Sequence, residues 1–424
     1  MKRAVLLLGT VVPLLIIASC SGNGSSVTGP NGNATVNKPS QLSNRAFITN
    51  QFSGAVQIVD SQTDMTSFFT VTNNNTGVTG PGVTGTAVSI PVGNSLTFAV
   101  LSPDGLETLV YDPTTFTLTF ITNSTELTNG AVTLANYANM ALYSPDSSTI
   151  YVPVPNATIS IPNTTTNAAP GGVQVITTST GAISNIYPVP SARTAAITPD
   201  GKTLLVFAGN ADTMWLIDLT ATAPTAVAIP GFARPVNAFF SSDSTTAYVL
   251  NCGTECGSTG TPSVMSFSMA SRSIVSSVPV GGASVGLLKG TTLYVAGYPG
   301  GSTGTFDVVD VSAMKRTTTN SIAIGDGTHT TMAMSTNNKM YIGSPNCLNT
   351  ANGCLSIVDL PTMAAAPLGP PRGAVTGMQA IPNRNTMYVI EGTVLNIYDT
   401  TSGQLQPTQI TFRGALYGVV QVDP

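Results

Sequence analysis

Short runs of apolar residues, separated by polar turns, recur along the chain from residue 44 to its end. Each unit has an apolar strand, a turn of the Ser-Pro-Asp-Gly kind, a second strand with an aromatic residue near its start, and a third strand that ends in Asp or Thr. The unit is clearest where Thr194–Phe207 is followed by Met214–Asp218. Because this region shows no helical periodicity, the pattern predicts an all-β fold built from short strands.

The second strand of the unit recurs at intervals of roughly 42 to 62 residues, which is typical of a repeat architecture. We count eight units and predict a β-propeller of eight four-stranded blades, with strands A (innermost) to D. Several units are degenerate, the second especially, so seven blades is the alternative. The equivalent positions in strand B are Phe47, Leu109, Tyr151, Leu205, Tyr248, Tyr294, Tyr341 and Tyr388.

The two ends of the repeat region complement each other. The first unit begins at its second strand, Ala46–Asn50, and the chain ends with an apolar strand, Leu416–Val422, that has no unit of its own. We therefore predict that the C-terminal strand pairs into the first blade and closes the ring, which removes the exposed strand edges.

Several repeats resemble a known family. The segments Ala46-Phe-Ile-Thr-Asn50, Thr246-Ala-Tyr-Val-Leu-Asn251 and Met387-Tyr-Val-Ile390 are similar to the YVTN β-propeller repeat, and the resemblance covers nearly all of 44–424. It implies the propeller fold and says little about function, because related propellers include surface-layer proteins, lactonases and binding scaffolds.

The N-terminus has the features of an export signal. A basic start, Lys2-Arg3, precedes an apolar stretch from Ala4 to Ile17, which is too short to span a bilayer comfortably. The following Ile17-Ala18-Ser19-Cys20 resembles the lipobox of bacterial lipoproteins, in which the Cys becomes the lipidated first residue. We expect a lipoprotein signal peptide at 1–19, lipidated Cys20 with a flexible linker at 20–43, and the propeller at 44–424.

Composition and charge narrow the location and the partners. Only 8% of the residues are charged, with 15 Lys and Arg against 19 Asp and Glu, so a nucleic-acid binder is not expected. Ser21 follows the Cys where, by resemblance, an Asp would retain a lipoprotein in the inner membrane. We expect an outer-membrane lipoprotein in the cell envelope, held by its N-terminal lipid and facing the periplasm or the cell surface.

The remaining four cysteines form an even set in an exported chain, which favours disulfides. Cys252 and Cys256 lie close together, as do Cys347 and Cys354, and each pair falls between strands B and C of its unit. Local bridges within each loop are one of three possible pairings. They are the only pairing without a blade between the partners.

Catalytic groups are scarce. His329 is the single histidine, which excludes a His-based metal site, and the predicted inner strands contain no carboxylate. We expect no metal, no cofactor and no catalytic residue. The recurrent Asp residues of the A-to-B turns are interpreted as caps of the turn backbone: Asp104, Asp146, Asp200 and Asp243.

One distribution favours a ligand. Basic residues recur just before or at the start of inner strands, in five different units, and such segments open onto one mouth of the channel. These side chains are a hypothetical site for a carboxylate or phosphate, since Arg binds such groups bidentately; the alternative is that each one bridges neighbouring blades. The residues are Arg193, Arg234, His329, Arg372 and Arg413.

The expected function is a non-catalytic binding or interaction scaffold, which holds a protein, a glycan or a small anionic molecule on the face that carries the long B-to-C loops. One alternative is a lactonase-like hydrolase or isomerase that uses the arginine-rich channel mouth. Another is a structural envelope or surface-layer component, which predicts self-association.

Overall fold

A computed structural model describes residues 40, 42–66, 89–158, 170–348, 353–407, 410, 412 and 414–423. The predicted signal peptide, Cys20 and Arg413 lie outside the described residues. Within them the protein is all-β, with one short 3₁₀ helix at Gly253–Cys256. The strands form eight antiparallel sheets that follow one another around a ring, so the prediction of eight blades is confirmed.

Blades 2 to 5 each contain four complete strands in the order A to D. Their bounds are Ala99–Leu101, Glu107–Asp112, Thr117–Thr122 and Leu127–Thr133 in blade 2; Leu142–Tyr143, Thr149–Val154, Gly172–Thr177 and Ala182–Pro188 in blade 3; Ala192–Ile197, Thr203–Ala208, Thr213–Asp218 and Ala226–Pro230 in blade 4; and Pro235–Phe240, Thr246–Asn251, Ser263–Ser268 and Ser273–Pro279 in blade 5.

Blades 6 to 8 and blade 1 have a short or divided strand D. The strands are Val285–Lys289, Thr292–Gly297, Gly304–Asp310, Lys315–Arg316 and Ile322–Ile324 in blade 6; Thr331–Met334, Lys339–Gly343, Leu355–Asp359 and Ala364–Ala365 in blade 7; Val375–Ile381, Thr386–Glu391, Val394–Asp399 and Gln404–Leu405 in blade 8; and Leu416–Gln421, Arg45–Asn50, Ala55–Asp60, Met65–Thr66 and Ser89–Pro91 in blade 1. All eight strand B positions predicted from the repeat fall in strand B.

The C-terminal strand closes the ring. Leu416–Gln421 pairs antiparallel with Arg45–Asn50, with Phe47 opposite Val420 and Ile48 opposite Val419. Strand A of blade 1 therefore comes from the end of the chain and strand B from its beginning, which confirms the predicted closure.

The core lies between the blades. In the described residues, eight clusters of buried apolar side chains each join one blade to the next around the ring. Both faces of strand B are covered, so consecutive residues are buried: Leu204, Leu205, Val206 and Phe207 are at most 1% exposed. This explains why the strands read as continuous apolar runs.

The A-to-B turns of blades 2 to 5 are capped by aspartate, as the sequence indicated. In blade 4 the Thr198 hydroxyl donates to Asp200 Oδ1 at 2.7 Å, and the Lys202 backbone N–H donates to the same oxygen at 3.1 Å. Asp104, Asp146 and Asp243 accept from a preceding hydroxyl and a following N–H in the same way. These carboxylates hold the turn backbone and are structural.

Candidate functional site

The two faces of the ring are built differently. Because the strands of each blade are antiparallel, the D-to-A and B-to-C connections emerge on one face, which we call the loop face, and the A-to-B and C-to-D turns on the other, the turn face. The loop face carries the long B-to-C connections 155–171, 252–262, 298–303 and 344–354. The A-to-B turns are short, so the B-to-C connections give the loop face more irregular structure than the A-to-B turns give the turn face.

Two loops of that face are closed by disulfides. Cys252 is bonded to Cys256 in blade 5, and Cys347 to Cys354 in blade 7. This is the local pairing considered from the sequence. Each disulfide joins two residues of the same loop. The two loops belong to blades 5 and 7, the neighbours of blade 6.

Arg234 binds neighbouring loops. Its backbone N–H donates to Asp212 Oδ1 at 2.9 Å, its Nε lies 3.8 Å from the same oxygen, and its Nη2 donates to the Gly257 carbonyl at 3.5 Å. The Ser258 hydroxyl also donates to Asp212, at 3.3 Å. Arg234 therefore links the B-to-C loop of blade 4 to the disulfide loop of blade 5, which is the bridging role weighed as the alternative to ligand binding.

Arg193 is exposed in strand A of blade 4. Its side chain passes over Gly209, where an added Cβ would lie 3.0 Å from Arg193 Cδ. Among the described residues, no hydrogen bond or ion pair connects any two of Arg193, Arg234, His329 and Arg372. Their convergence on one anion therefore remains a hypothesis.

His329 is 1% exposed, between blades 6 and 7. The Ser284 hydroxyl donates to its backbone carbonyl at 3.0 Å, and within the described part of the chain its Nδ1 has no hydrogen-bond partner. Burial lowers the pKa of His329 to about 4, and the Gly325 carbonyl and the Asp326 charge offset this only partly. The imidazole is thus neutral at neutral pH and supplies no positive charge for an anion.

Arg372 lies beside a buried acid. Glu391, at the end of strand B of blade 8, is 2% exposed, and its Oε2 accepts from the Tyr398 hydroxyl at 2.6 Å and from Asn396 Nδ2 at 2.8 Å. Burial raises the pKa of Glu391, while the two donors and the Arg372 charge act in the opposite direction. Of the predicted basic residues, Arg372 is the one that the structure brings close to a buried titratable group.

A second acid on this face, Glu255, was not predicted. It lies in the 3₁₀ helix of the blade 5 disulfide loop, and both carboxylate oxygens are buried without a well-aligned hydrogen bond. Burial raises its pKa, and the nearby N–H groups of Tyr298 and Ala283 and the Ser284 hydroxyl offset part of the effect. The loop face therefore contains carboxylates that reach it from strand ends and loops.

Strand C supplies further buried polar groups that sequence reasoning missed. The Gly281 N–H donates to Asp307 at 2.7 Å in blade 6, the Gly325 N–H to Ser356 at 2.8 Å in blade 7, and the Ala135 N–H to Gln174 at 2.9 Å in blade 3. Each donor belongs to the D-to-A connection that precedes its blade. The signal in the sequence is a polar residue with an apolar residue on each side of it in strand C.

Metal binding and membrane-spanning helices can both be checked in the described residues. They contain no group of three His, Cys, Asp or Glu side chains placed to hold a metal ion. They also contain no helix with the length and apolar character needed to cross a membrane.

Comparison with known proteins agrees with the fold. No family model matches the chain, and no curated protein matches it. Solved structures do: dihydro-heme d1 dehydrogenase NirN, in complex with DHE, has a TM-score of 0.65 at 13% identity, over 94% of this chain and 78% of its own. Hydrazine synthase from Kuenenia stuttgartiensis has a TM-score of 0.53 at 16% identity, over 79% of this chain and 100% of its own. The Cps50 (Swd1) β-propeller domain has a TM-score of 0.51 at 10% identity, over 70% of this chain and 93% of its own.

Identities this low show the fold alone. The chain is an eight-bladed β-propeller, a class that includes both binding scaffolds and enzymes.

Proposed function

We propose that this protein is an exported, lipid-anchored β-propeller of the YVTN type that binds a partner on its loop face. Cys20 carries the lipid, the outer membrane is the destination, and the partner is a protein, a glycan or a small anionic molecule. The observation that carries the proposal is the difference between the two faces of the ring. One face has long loops, two of them closed by disulfides, and the other has short, aspartate-capped turns.

The entry point of the chain supports this orientation. Ser40 is 6% exposed, and its backbone N–H donates to Glu126 Oε2, in the C-to-D turn of blade 2, at 2.7 Å. Arg45 then begins strand B of blade 1. The chain therefore enters the propeller on the turn face, which is opposite to the proposed partner site.

The chemistry of the loop face suits a polar partner. Arg193 is exposed and has no acidic partner among the described residues, and Arg372 is half-buried beside Glu391. Arg234 is already paired and His329 is neutral, so Arg193 and Arg372, together with Arg413, are the cations we assign to ligand binding. A guanidinium group binds a carboxylate or a phosphate through two parallel hydrogen bonds.

Site-specific photo-crosslinking tests which face is used. Leu348, in the blade 7 disulfide loop, is 67% exposed, and Leu106, in an A-to-B turn, is 65% exposed, so the two positions form a matched pair on opposite faces. With a photoreactive residue at each position in turn, in cells that produce the full chain, we expect a specific adduct from position 348 and none from 106. Adducts from position 106 alone would contradict the proposal.

The anchor requires its own test. We expect the Cys20→Ser variant to lose incorporation of labelled fatty acid and to leave the membrane fraction, because the thiol that receives the lipid is gone. The Ser21→Ala variant, altered one residue later, should keep its label and serves as the control. An unlabelled wild-type protein would remove lipid anchoring from the proposal without affecting the crosslinking result.

A further inference from the structure

The outer wall of the ring has an irregularity at blade 6. Strand D of this blade is divided into Lys315–Arg316 and Ile322–Ile324, which pair with opposite ends of strand C, and residues 317–321 bulge outward between them. In blade 5 the same strand runs without a break from Ser273 to Pro279. The bulge separates two hollows, of about 380 Å³ towards blade 7 and 640 Å³ towards blade 5.

Buried polar contacts hold the bulge in one conformation. Asp307, which is fully buried in strand C, accepts the Ser321 hydroxyl at 2.9 Å and Arg316 Nη1 at 3.3 Å. Arg316 in turn donates through Nε to the Thr318 carbonyl at 3.0 Å and through Nη2 to the Thr319 carbonyl at 2.7 Å. The loop is thus wrapped around one guanidinium group whose charge is balanced by Asp307, and the walls of the hollows are fixed before any ligand arrives.

The smaller hollow has an apolar floor and a polar rim. Tyr294, Leu360 and Met363 line it together with Thr319 and Asn320. Within the described part of the chain, the Thr319 hydroxyl and the Asn320 amide make no hydrogen bond, and both residues are exposed. Such a rim offers donors and acceptors without net charge, while the tyrosine ring and its neighbours offer an apolar surface.

The larger hollow lies past the bulge and adds a cation, the exposed Lys315, to the neutral polar groups. Its lining includes Ser277, Lys315 and the same Thr317–Thr319 segment. Hollows of 300–1,000 Å³ are the usual size for a small-molecule site. Gly281, at the edge of the larger hollow, belongs to a D-to-A connection, but neither the basic residues Arg193, Arg234, His329 and Arg372 nor the acids Glu255 and Glu391 line either hollow. This site is therefore separate from the function proposed for the loop face.

We propose that the two hollows on the outer wall of blade 6 form a binding groove for a short neutral oligosaccharide. A sugar ring has an apolar face of C–H groups and an edge of hydroxyls, which match the Tyr294 side of the smaller hollow and the Thr319 and Asn320 side chains of its rim. A second sugar unit extends over the bulge towards Ser277. With the Arg316 charge balanced by Asp307, a charged ligand gains little from the smaller hollow. In the larger hollow, the Lys315 ammonium group donates to the hydroxyl groups of the sugar.

Titration calorimetry of the full-length protein tests the assignment, with maltotriose, cellotriose, chitotriose and mannotriose as probes. We expect saturable binding of at least one, and a loss of about tenfold or more in affinity in the Tyr294→Ala variant, as for a central aromatic contact. The matched control is Tyr248→Ala, because Tyr248 occupies the same position of strand B in blade 5 and is likewise half-buried.

A second pair of variants keeps the test valid if Tyr294→Ala does not fold. Thr319→Val and Asn320→Ala change exposed groups that make no hydrogen bonds in the described structure, so folding should be unaffected and saccharide binding weakened. Thr222→Val, at an exposed threonine in the C-to-D connection of blade 4, is their control. Failure of all four probes to bind, binding that survives these changes, or binding of extended peptides instead of saccharides would each overturn the proposal.

Discussion

Arg45 makes a two-point contact with Asp423: its Nε lies 2.7 Å from Oδ2 and its Nη2 lies 2.8 Å from Oδ1. The arginine begins strand B of blade 1, and the aspartate follows strand A of the same blade at the other end of the chain. Arg45 Nη1 also donates to Glu126 of blade 2 at 2.9 Å. One buried guanidinium group therefore joins the first and last segments of the propeller to the neighbouring blade.

We expect the Arg45→Met variant to lose about 3–5 kcal/mol in free energy of unfolding, because Glu126 would then be a buried carboxylate without its cation. Arg45 is 1% exposed, and the Glu126 side chain is fully buried. Arg272→Met is the control: Arg272 pairs with Asp218 at 3.6 Å with both side chains nearly half exposed, so its loss should cost less than about 1 kcal/mol. Urea unfolding measures the loss of stability in both variants. Equal losses would show that Arg45 does not stabilise the ring closure more than a surface ion pair does.

Removal of the C-terminal strand should destabilise the propeller more than the Arg45→Met substitution does. Deletion of residues 414–424 takes strand A from blade 1, exposes the edge of Arg45–Asn50 and opens the apolar clusters on both sides of that blade. We expect a lower melting temperature and aggregation on heating. A deletion of Pro424 alone is the control, and a 414–424 deletion that melts like the full chain would show that the ring does not depend on this strand.

Local sequence patterns predicted the strands and turns of this fold, but they did not predict contacts between residues that are far apart in the sequence. The position of strand B in every blade, the aspartate caps and the closure all follow from repeat spacing, turn chemistry and an unpaired terminal strand. The role of Arg45 does not, because its partner Asp423 is distant in sequence and no periodicity connects them. Glu391 was not predicted because it belongs to strand B, whereas only the inner strands were expected to line the channel.

The aspartate caps should make stability depend on acid pH. Hydrogen bonds from hydroxyl and backbone donors lower the pKa of Asp104, Asp146, Asp200 and Asp243, with the preceding Ser or Thr hydroxyl as the largest cause. Their contribution is fully present above the unfolded pKa of about 3.9 and is lost as the pH falls through the lower folded values. We expect the melting temperature to fall steeply below about pH 4.

A variant with all four caps changed to Asn checks the cause. Asparagine can still accept a hydrogen bond but does not titrate, so its melting temperature should change less between pH 5 and pH 2.5 than that of the wild type. Parallel acid transitions in the two proteins would assign the pH dependence to other carboxylates.

The titration of His329 tests whether its imidazole is buried between blades 6 and 7. Because the chain has one histidine, its imidazole signals in an NMR titration of protein labelled at histidine need no assignment by mutation. Burial lowers the pKa of His329 to about 4, against about 6.5 for an unfolded histidine. Between these values the unfolded chain binds a proton that the folded one does not. The contribution of His329 should therefore lower stability as the pH drops from about 6.5 to 4, and below that it should stay constant.

We expect the native protein to show a neutral imidazole down to about pH 5, and the urea-unfolded protein to titrate near 6.5. The His329→Gln variant lacks the titrating group, so its melting temperature should vary less between pH 7 and pH 4.5 than that of the wild type. A native titration midpoint near 6.5 would mean that the imidazole is open to solvent. In that case it could carry a positive charge at the loop face, and His329 would return to the set of anion-binding candidates.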